Sequence, residues 1–247
     1  MAIATHLRRF FVEGLAPAGS RLVLRGDEAH HLLNVIRVRV GEDVHLLDGS
    51  GMVARARLAE ARRGEAGLDV LSVEEVDTEP ARRMTLLCAL PRASRMDTLV
   101  EKCCELGLAR LSPVVTARSV VDPLGRQENH LARWRRITIE AAKQCGRARL
   151  MEVTPALPYD AESLSCEPAA LRLVASPGPQ SESIRDIAAR TPPGQAVVAL
   201  IGPEGGLTPE EVDLARTSGY TPVSLGKRIL RVETAAMALC ACFLLGD

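Results

Sequence analysis

From Ala196 to Ile201 the chain is an unbroken apolar run, and it stops at Gly202-Pro203-Glu204-Gly205-Gly206. A helix start follows at once: Thr208 can cap, Pro209 suits the first turn, and Glu211 sits where a capping-box carboxylate belongs. This order confines the segment to a strand, a small-residue loop and a helix. Little side-chain bulk in the loop lets main chain approach a ligand closely. A second loop, Leu225-Gly226-Lys227-Arg228-Ile229-Leu230-Arg231-Val232-Glu233-Thr234-Ala235, lies about twenty residues downstream. The two loops together read as a cofactor cradle.

The same alternation runs back along the chain. Met84 to Leu90 reads as a strand. Ser94 to Leu106 reads as a helix, with Met96, Leu99, Val100, Cys103 and Leu106 on one stripe and Gly107 as its stop. Leu111 to Val115 is a strand. A long helix follows, with Leu131, Trp134, Ile137, Ala141 and Cys145 inward, Arg133, Arg135, Arg136 and Lys143 outside the stripe, and Gly146 at its end. Leu171 to Ala175, Ala196 to Ile201 and Pro222 to Leu225 are further strands. The expectation for residues 81–247 is an α/β domain with a mostly parallel sheet covered on both faces. Residues 1–76 differ. Short strands are expected at Arg9–Val12, Arg21–Leu24, Val44–Leu47, Val53–Leu58 and Leu68–Val76, with a short helix capped by Asp27 and a hairpin turn at Asp48-Gly49-Ser50-Gly51. That pattern predicts a small barrel. Asp77-Thr78-Glu79-Pro80 is the linker between the two domains.

Net charge is zero, which hides an asymmetry. Residues 81–150 hold 14 Lys/Arg against 6 Asp/Glu, whereas residues 151–247 hold 7 against 12. A basic middle suits a polyanionic partner or, equally, a solvated helix face. Seven cysteines, with no CxxC pair and no zinc-finger spacing, argue against metal and for free thiols in a reducing cytoplasm. Met1 to Val12 lacks the apolar stretch of a signal peptide, and the longest apolar run, Ala235 to Leu245, is too short to span a bilayer. No GxxxxGK[ST] occurs. Gly49-Ser50-Gly51-Met52-Val53-Ala54 matches GxGxxA by letters only, because strand patterns flank it and no helix opens after it.

The pair GPEGGLTPEEV and LGKRILRVETAAMAL resembles the C-terminal signature of the RsmE family, bacterial ribosomal RNA methyltransferases of the SPOUT, trefoil-knotted class. Leu90-Pro91-Arg92 through Gly107 resembles the family's early helix. Ile139-Glu140-Ala141-Ala142-Lys143-Gln144-Cys145-Gly146-Arg147 resembles its EAAxQCGR segment. Arg8-Arg9-Phe10-Phe11 and His30 through Val38 resemble its N-terminal PUA-like, RNA-binding domain. The resemblance implies S-adenosyl-L-methionine-dependent methylation of a uridine N3 in small-subunit (16S) ribosomal RNA. It further implies a knotted C-terminal domain and a homodimer acting on ribosomal RNA or the small subunit.

The residues agree in kind. Adenine needs an apolar slot, which Leu200, Ile201, Leu225, Ile229 and Leu230 can supply, and polar contacts from the peptide groups of Gly202, Gly205, Gly206 and Gly226. The resemblance adds Leu173, Ala175, Pro203, Glu204, Arg231, Thr234 and Ala235 to the cofactor set. Uridine N3 becomes nucleophilic only once its proton leaves, so the site needs a cation and a proton acceptor. Arg231 is the candidate cation, or else a salt-bridge partner of Glu233 or Glu204. Glu204 is the candidate base, or else a helix cap or ribose acceptor. Arg8, Arg9, Arg37, Arg39, Arg118, Gln144 and Arg147 are candidates for RNA contact.

Two positions depart from the family pattern: Lys143 stands where an acidic residue is usual, and Ser176-Pro177-Gly178 replaces a His-Pro or Glu-Pro start. Two rival readings are a knotted methyltransferase for another RNA base or transfer RNA, and a non-catalytic RNA-binding protein. A nucleotide-dependent oxidoreductase is disfavoured by the missing dinucleotide fingerprint.

Overall fold

The computed structural model describes residues 8–91, 93–119, 127–165, 167 and 170–245. Residues 1–7 of the N-terminal stretch, Arg92 and Cys166 lie outside them. The chain divides into two compact units. Unit 1 is Met1–Glu79 with Ala142–Leu150, and unit 2 is Pro80–Ala141 with Met151–Asp247.

Unit 1 is built on β1 (Arg9–Phe11), β2 (Arg21–Arg25), β3 (Asp43–Leu47), β4 (Met52–Arg62) and β5 (Glu65–Glu75), with α1 (Gly26–His30) running into a π-helical turn, His31–Val35. The sheet order is β1-β3-β4-β5-β2, with β1 parallel to β3 and the other pairs antiparallel. Phe10, Leu32, Leu46, Leu58 and Leu68 are fully buried in its core. The expected hairpin is present, with Leu47 opposite Val53. Its turn also receives the returning segment. Leu150 N–H donates to the Gly49 carbonyl at 3.1 Å, and a Cβ at Gly49 would lie 2.5 Å from Leu150 Cγ. Gly49 is therefore fixed by close approach as well as by its φ of +82°.

Unit 2 contains β6 (Met84–Ala89), α2 (Ala93–Glu105), β7 (Arg110–Val115), most of α3 (Gln127–Cys145), β8 (Glu152–Val153), β9 (Leu157–Pro158), α4 (Ala161–Leu164), β10 (Leu171–Ala175), β11 (Glu182–Ser183), α5 (Ile184–Arg190), β12 (Val197–Ile201), α6 (Pro209–Thr217), β13 (Thr221–Ser224) and α7 (Val232–Leu244). The sheet runs β11-β13-β10-β12-β6-β7-β8, with β9 also on β7, and every pairing is parallel. β6 and β12 are buried along their whole length, as a sheet covered on both faces requires. Aromatics are only 2% of the chain, and α2 packs on α7 through small and aliphatic side chains, with Cys103 and Cys240 sulfurs 3.9 Å apart.

Three expectations need correction. The α1 N-cap is Arg25, in extended conformation and with no side-chain bond, so Asp27 sits inside the first turn instead of capping it. On α3, Lys143 is buried and Cys145 exposed, the reverse of the expected stripe. The reason is an ion pair within unit 1: Lys143 Nζ donates to Glu28 Oε1 at 2.6 Å. Lastly, the domain division is not a single linker, because Ala142–Leu150 belongs with the N-terminal residues.

Candidate active site

Parallel strands place their carboxyl ends on one side of a sheet, and the register here aligns three of them. Ala175 at the end of β10 pairs with both Ile201 of β12 and Val223 of β13. Each strand then turns into a loop, and these loops enclose a hollow of about 340 Å³, within the range of small-molecule sites. The helix start after the first loop forms as expected. Thr208 Oγ1 accepts from Glu211 N–H at 3.2 Å, Glu211 Oε2 accepts from Thr208 N–H at 2.8 Å, and Pro209 opens α6. Glu211 Oε1 also accepts from Ala117 N–H at 2.7 Å, tying the loop after β7 to this helix.

Of the expected cofactor residues, Ala175, Ile201, Gly202, Pro203, Glu204, Gly205, Gly206, Leu225, Gly226, Ile229, Leu230 and Ala235 line the hollow. Leu173, Leu200, Arg231 and Thr234 do not. Leu200 faces away from Ile201 by strand alternation and is buried with Leu87 and Val174. Leu173 lies two residues inside the strand end and is fully buried. Thr234 points outward from α7, and Arg231 is its exposed N-cap, flanked by the lining residues Leu230 and Val232. Ser176, Pro177, Leu207, Val223, Arg228 and Val232 complete the wall. Ser176 and Pro177 had a signal in the sequence, as the odd strand-end loop; Arg228 sat in the quoted second loop.

Gly202 is the sterically fixed glycine of the first loop. A Cβ there would lie 2.8 Å from Leu207 Cγ and 3.1 Å from Leu207 N, whereas one at Gly205 would make ordinary contact with Arg118, at 3.5 Å or more. Arg118 Nη1 donates to the Gly205 carbonyl at 2.8 Å.

Glu204 does not meet Arg231. Arg95 of α2 takes that place: its Nη1 donates to Glu204 Oε1 at 2.9 Å, and its Nε lies 3.9 Å from Glu233 Oε1. The other oxygen of Glu233 is buried without a partner among the described residues. Behind this trio, burial keeps the Cys88 thiol far above its ordinary range, and the Glu204, Cys240 and Glu233 charges add to the effect. Cys88 is therefore a protonated, buried thiol, not a nucleophile.

The RNA candidates fall into groups. Arg147 is 4% exposed, with Nε donating to Glu79 Oε1 at 2.8 Å, so its proposed RNA contact is corrected to a buried ion pair. Arg8 pairs with Glu42, and Arg9 donates to the Lys143 carbonyl at 3.2 Å. Arg37, Arg39 and Gln144 are exposed. Among the described residues no group of three or more His, Cys, Asp or Glu is placed to hold a metal, and no helix is long and apolar enough to cross a membrane.

The strand-end hollow lies in a parallel α/β unit joined in sequence to a small β unit, and comparison with known families gives the class: an RNA methyltransferase with a PUA domain. Residues 78–244 match the RNA methyltransferase domain, and residues 24–71 match the RNA methyltransferase PUA domain. Ribosomal RNA small subunit methyltransferase E of Synechocystis sp. is 35% identical over 87% of this chain and 69% of its own length. The Mycobacterium bovis protein of the same name is 33% identical over 92% and 87%. The chain belongs to the ribosomal RNA small subunit methyltransferase E family. Among solved structures it resembles the Neisseria gonorrhoeae member bound to S-adenosyl methionine, at 34% identity and TM-score 0.86 over 96% of each chain. It also resembles a Legionella pneumophila methyltransferase in complex with SAM, at 29% identity and TM-score 0.88 over 97% of each.

Proposed function

We propose that this enzyme transfers the methyl group of S-adenosyl-L-methionine to N3 of a uridine in small-subunit (16S) ribosomal RNA. The observation that carries the reading is the alignment of Ala175, Ile201 and Val223, which opens three loops onto one largely apolar hollow. The residues fit the cofactor: Ile201, Leu225, Ile229 and Leu230 offer an adenine face, and the glycine-rich main chain offers donors and acceptors without side-chain hindrance. The bound cofactor supplies a sulfonium-activated methyl group, so the chain's own task is to deprotonate and orient the base. Arg231, exposed between two lining residues, is the proposed cation that stabilises the developing uracil anion, with Arg228 in the wall as the alternative. Glu204 is the proposed proton acceptor at the loop's edge. A knotted crossing of the C-terminal chain, a homodimer and a cytoplasmic location complete the reading.

Methyl transfer to RNA or small subunits from a strain lacking the modification, followed by nucleoside mass spectrometry, tests it. The expected product is 3-methyluridine in 16S RNA, and Arg231→Ala is expected to lower turnover by about 100-fold while cofactor binding changes little. Label appearing only in transfer RNA or on another base would support the rival knotted methyltransferase. No cofactor binding at all would reduce the chain to an RNA-binding protein.

A further inference from the structure

Within unit 1, Val35–Val40 has features that its own core does not use. It leaves the π-helical turn His31–Val35 and contains Arg37, whose φ of 59° is the sole positive value at a non-glycine among the described residues. Both features are costly and persist where surrounding contacts over-determine them, which is why they concentrate at working surfaces. The segment is pinned. Leu32 and Val38 are buried, Ile36 N–H donates to the His31 carbonyl at 2.9 Å, Val38 N–H to Leu32 at 3.0 Å, and Gly41 N–H to Leu58 at 2.7 Å. Val35, Ile36 and Val40 are thus held outward, at 59%, 38% and 60% exposure. Being β-branched, they have few rotamers to lose on contact.

Arg37 and Arg39 stand exposed between them and form no ion pair among the described residues. Arg37 Nε reaches the Asn34 carbonyl at 3.4 Å. The nearby carboxylates are engaged elsewhere: Glu42 by Arg8 and the Arg39 N–H, Asp43 by Arg57, and Glu28 by Lys143. Glycine would occupy position 37 without strain, so what arginine adds there is its head group.

We infer that Val35–Val40 docks an unpaired nucleotide of the RNA substrate, with the two guanidinium groups on flanking phosphates and the Val35–Ile36 surface against a base face. This rests on the methyltransferase reading and adds the element of unit 1 that touches RNA. Charge selects the partner, because two exposed arginines within six residues, neither in an ion pair among the described residues, attract a polyanion. The aliphatic surface beside them calls for an unstacked base, which a continuous duplex does not present.

The test uses the full chain, binding by anisotropy a hairpin RNA with an unpaired loop and a continuous duplex of equal length. Arg37→Gly is expected to keep or raise Tm, to weaken hairpin binding about three- to tenfold, and to lower the slope of log affinity against log salt by about one. Ile36→Ser is expected to weaken hairpin binding roughly threefold, with the salt slope and duplex binding unchanged. Parental hairpin affinity in both variants would overturn the inference, as would equal losses by Ile36→Ser on hairpin and duplex. So would a self-association lost in Ile36→Ser, which would give the surface to a second copy. If the parent methylates small-subunit RNA and both variants match it, this inference alone falls; a parent that methylates no RNA removes the functional reading.

Discussion

Arg95 lies far from both cofactor loops in sequence, yet it holds the carboxylate of one and reaches toward that of the other. Freeing Glu204 would loosen the loop that carries Gly202 and Gly205. Arg95→Ala should therefore weaken adenosylmethionine binding by about tenfold, measured by calorimetry, while Arg95→Lys restores only part because a single ammonium cannot span both acids. A cycle with Glu204→Gln should show a coupling of about 0.5–1 kcal/mol, the range for a partly exposed pair. Additive effects would remove the clamp from the account. The sequence offered Arg231 for this pairing from its place in the second loop. It could not offer Arg95, which stands 109 positions from Glu204.

At the level of elements, what was local was legible. The Thr208-Pro209-Glu211 start of α6, the hairpin at Gly49, and Gly107 after α2 each rest on chemistry between near neighbours. The stop of α3 at Gly146 was legible, but which side chains its last turn buries was not, because the partners that decide it come from distant segments: Glu28 for Lys143 and Glu79 for Arg147. A helix wheel assigns a lysine to the outside unless a carboxylate waits in the interior. The same held in the cradle: both loops were visible in the sequence, but strand alternation sent Leu200 into the core, and Arg228 of the second loop joined the wall. The Arg147 pair yields a stability prediction. Glu79→Ala removes the carboxylate bonded to a guanidinium at 4% exposure and should cost clearly more, by urea denaturation, than breaking an exposed pair such as Arg62–Glu60, which should cost under about 1 kcal/mol.

For the molecule as a whole, acid should act in two stages. Burial, aided by the charge of Arg9, pushes His45 below its ordinary 6.5. The unfolded chain therefore takes up this proton first, and stability declines as pH falls below about 6.5. Glu42, held down chiefly by the Arg39 N–H, and Asp43, Glu65 and Asp69, each bonded to an arginine, lie below their ordinary values of 4.5 or 3.8. Their stabilisation is present above those values and is lost as pH drops through the lower folded ones. Thermal melts from about pH 8 down to about pH 2 should show both stages, the second shallow and salt-sensitive, and His45→Gln should remove the first. An unchanged profile in that variant would discard the assignment. Unit 1 also has a history written into its chain order, since its last piece, Ala142–Leu150, follows residues 80–141. At roughly 5–20 residues per second, a nascent chain waits on the order of 3–12 seconds between the two pieces. During that interval Glu28 and Glu79 have no basic partner from the late piece, and the turn at Gly49 has no Leu150. The newborn N-terminus is then an incomplete unit 1, and a fragment cut after Glu79 keeps that unfinished condition permanently.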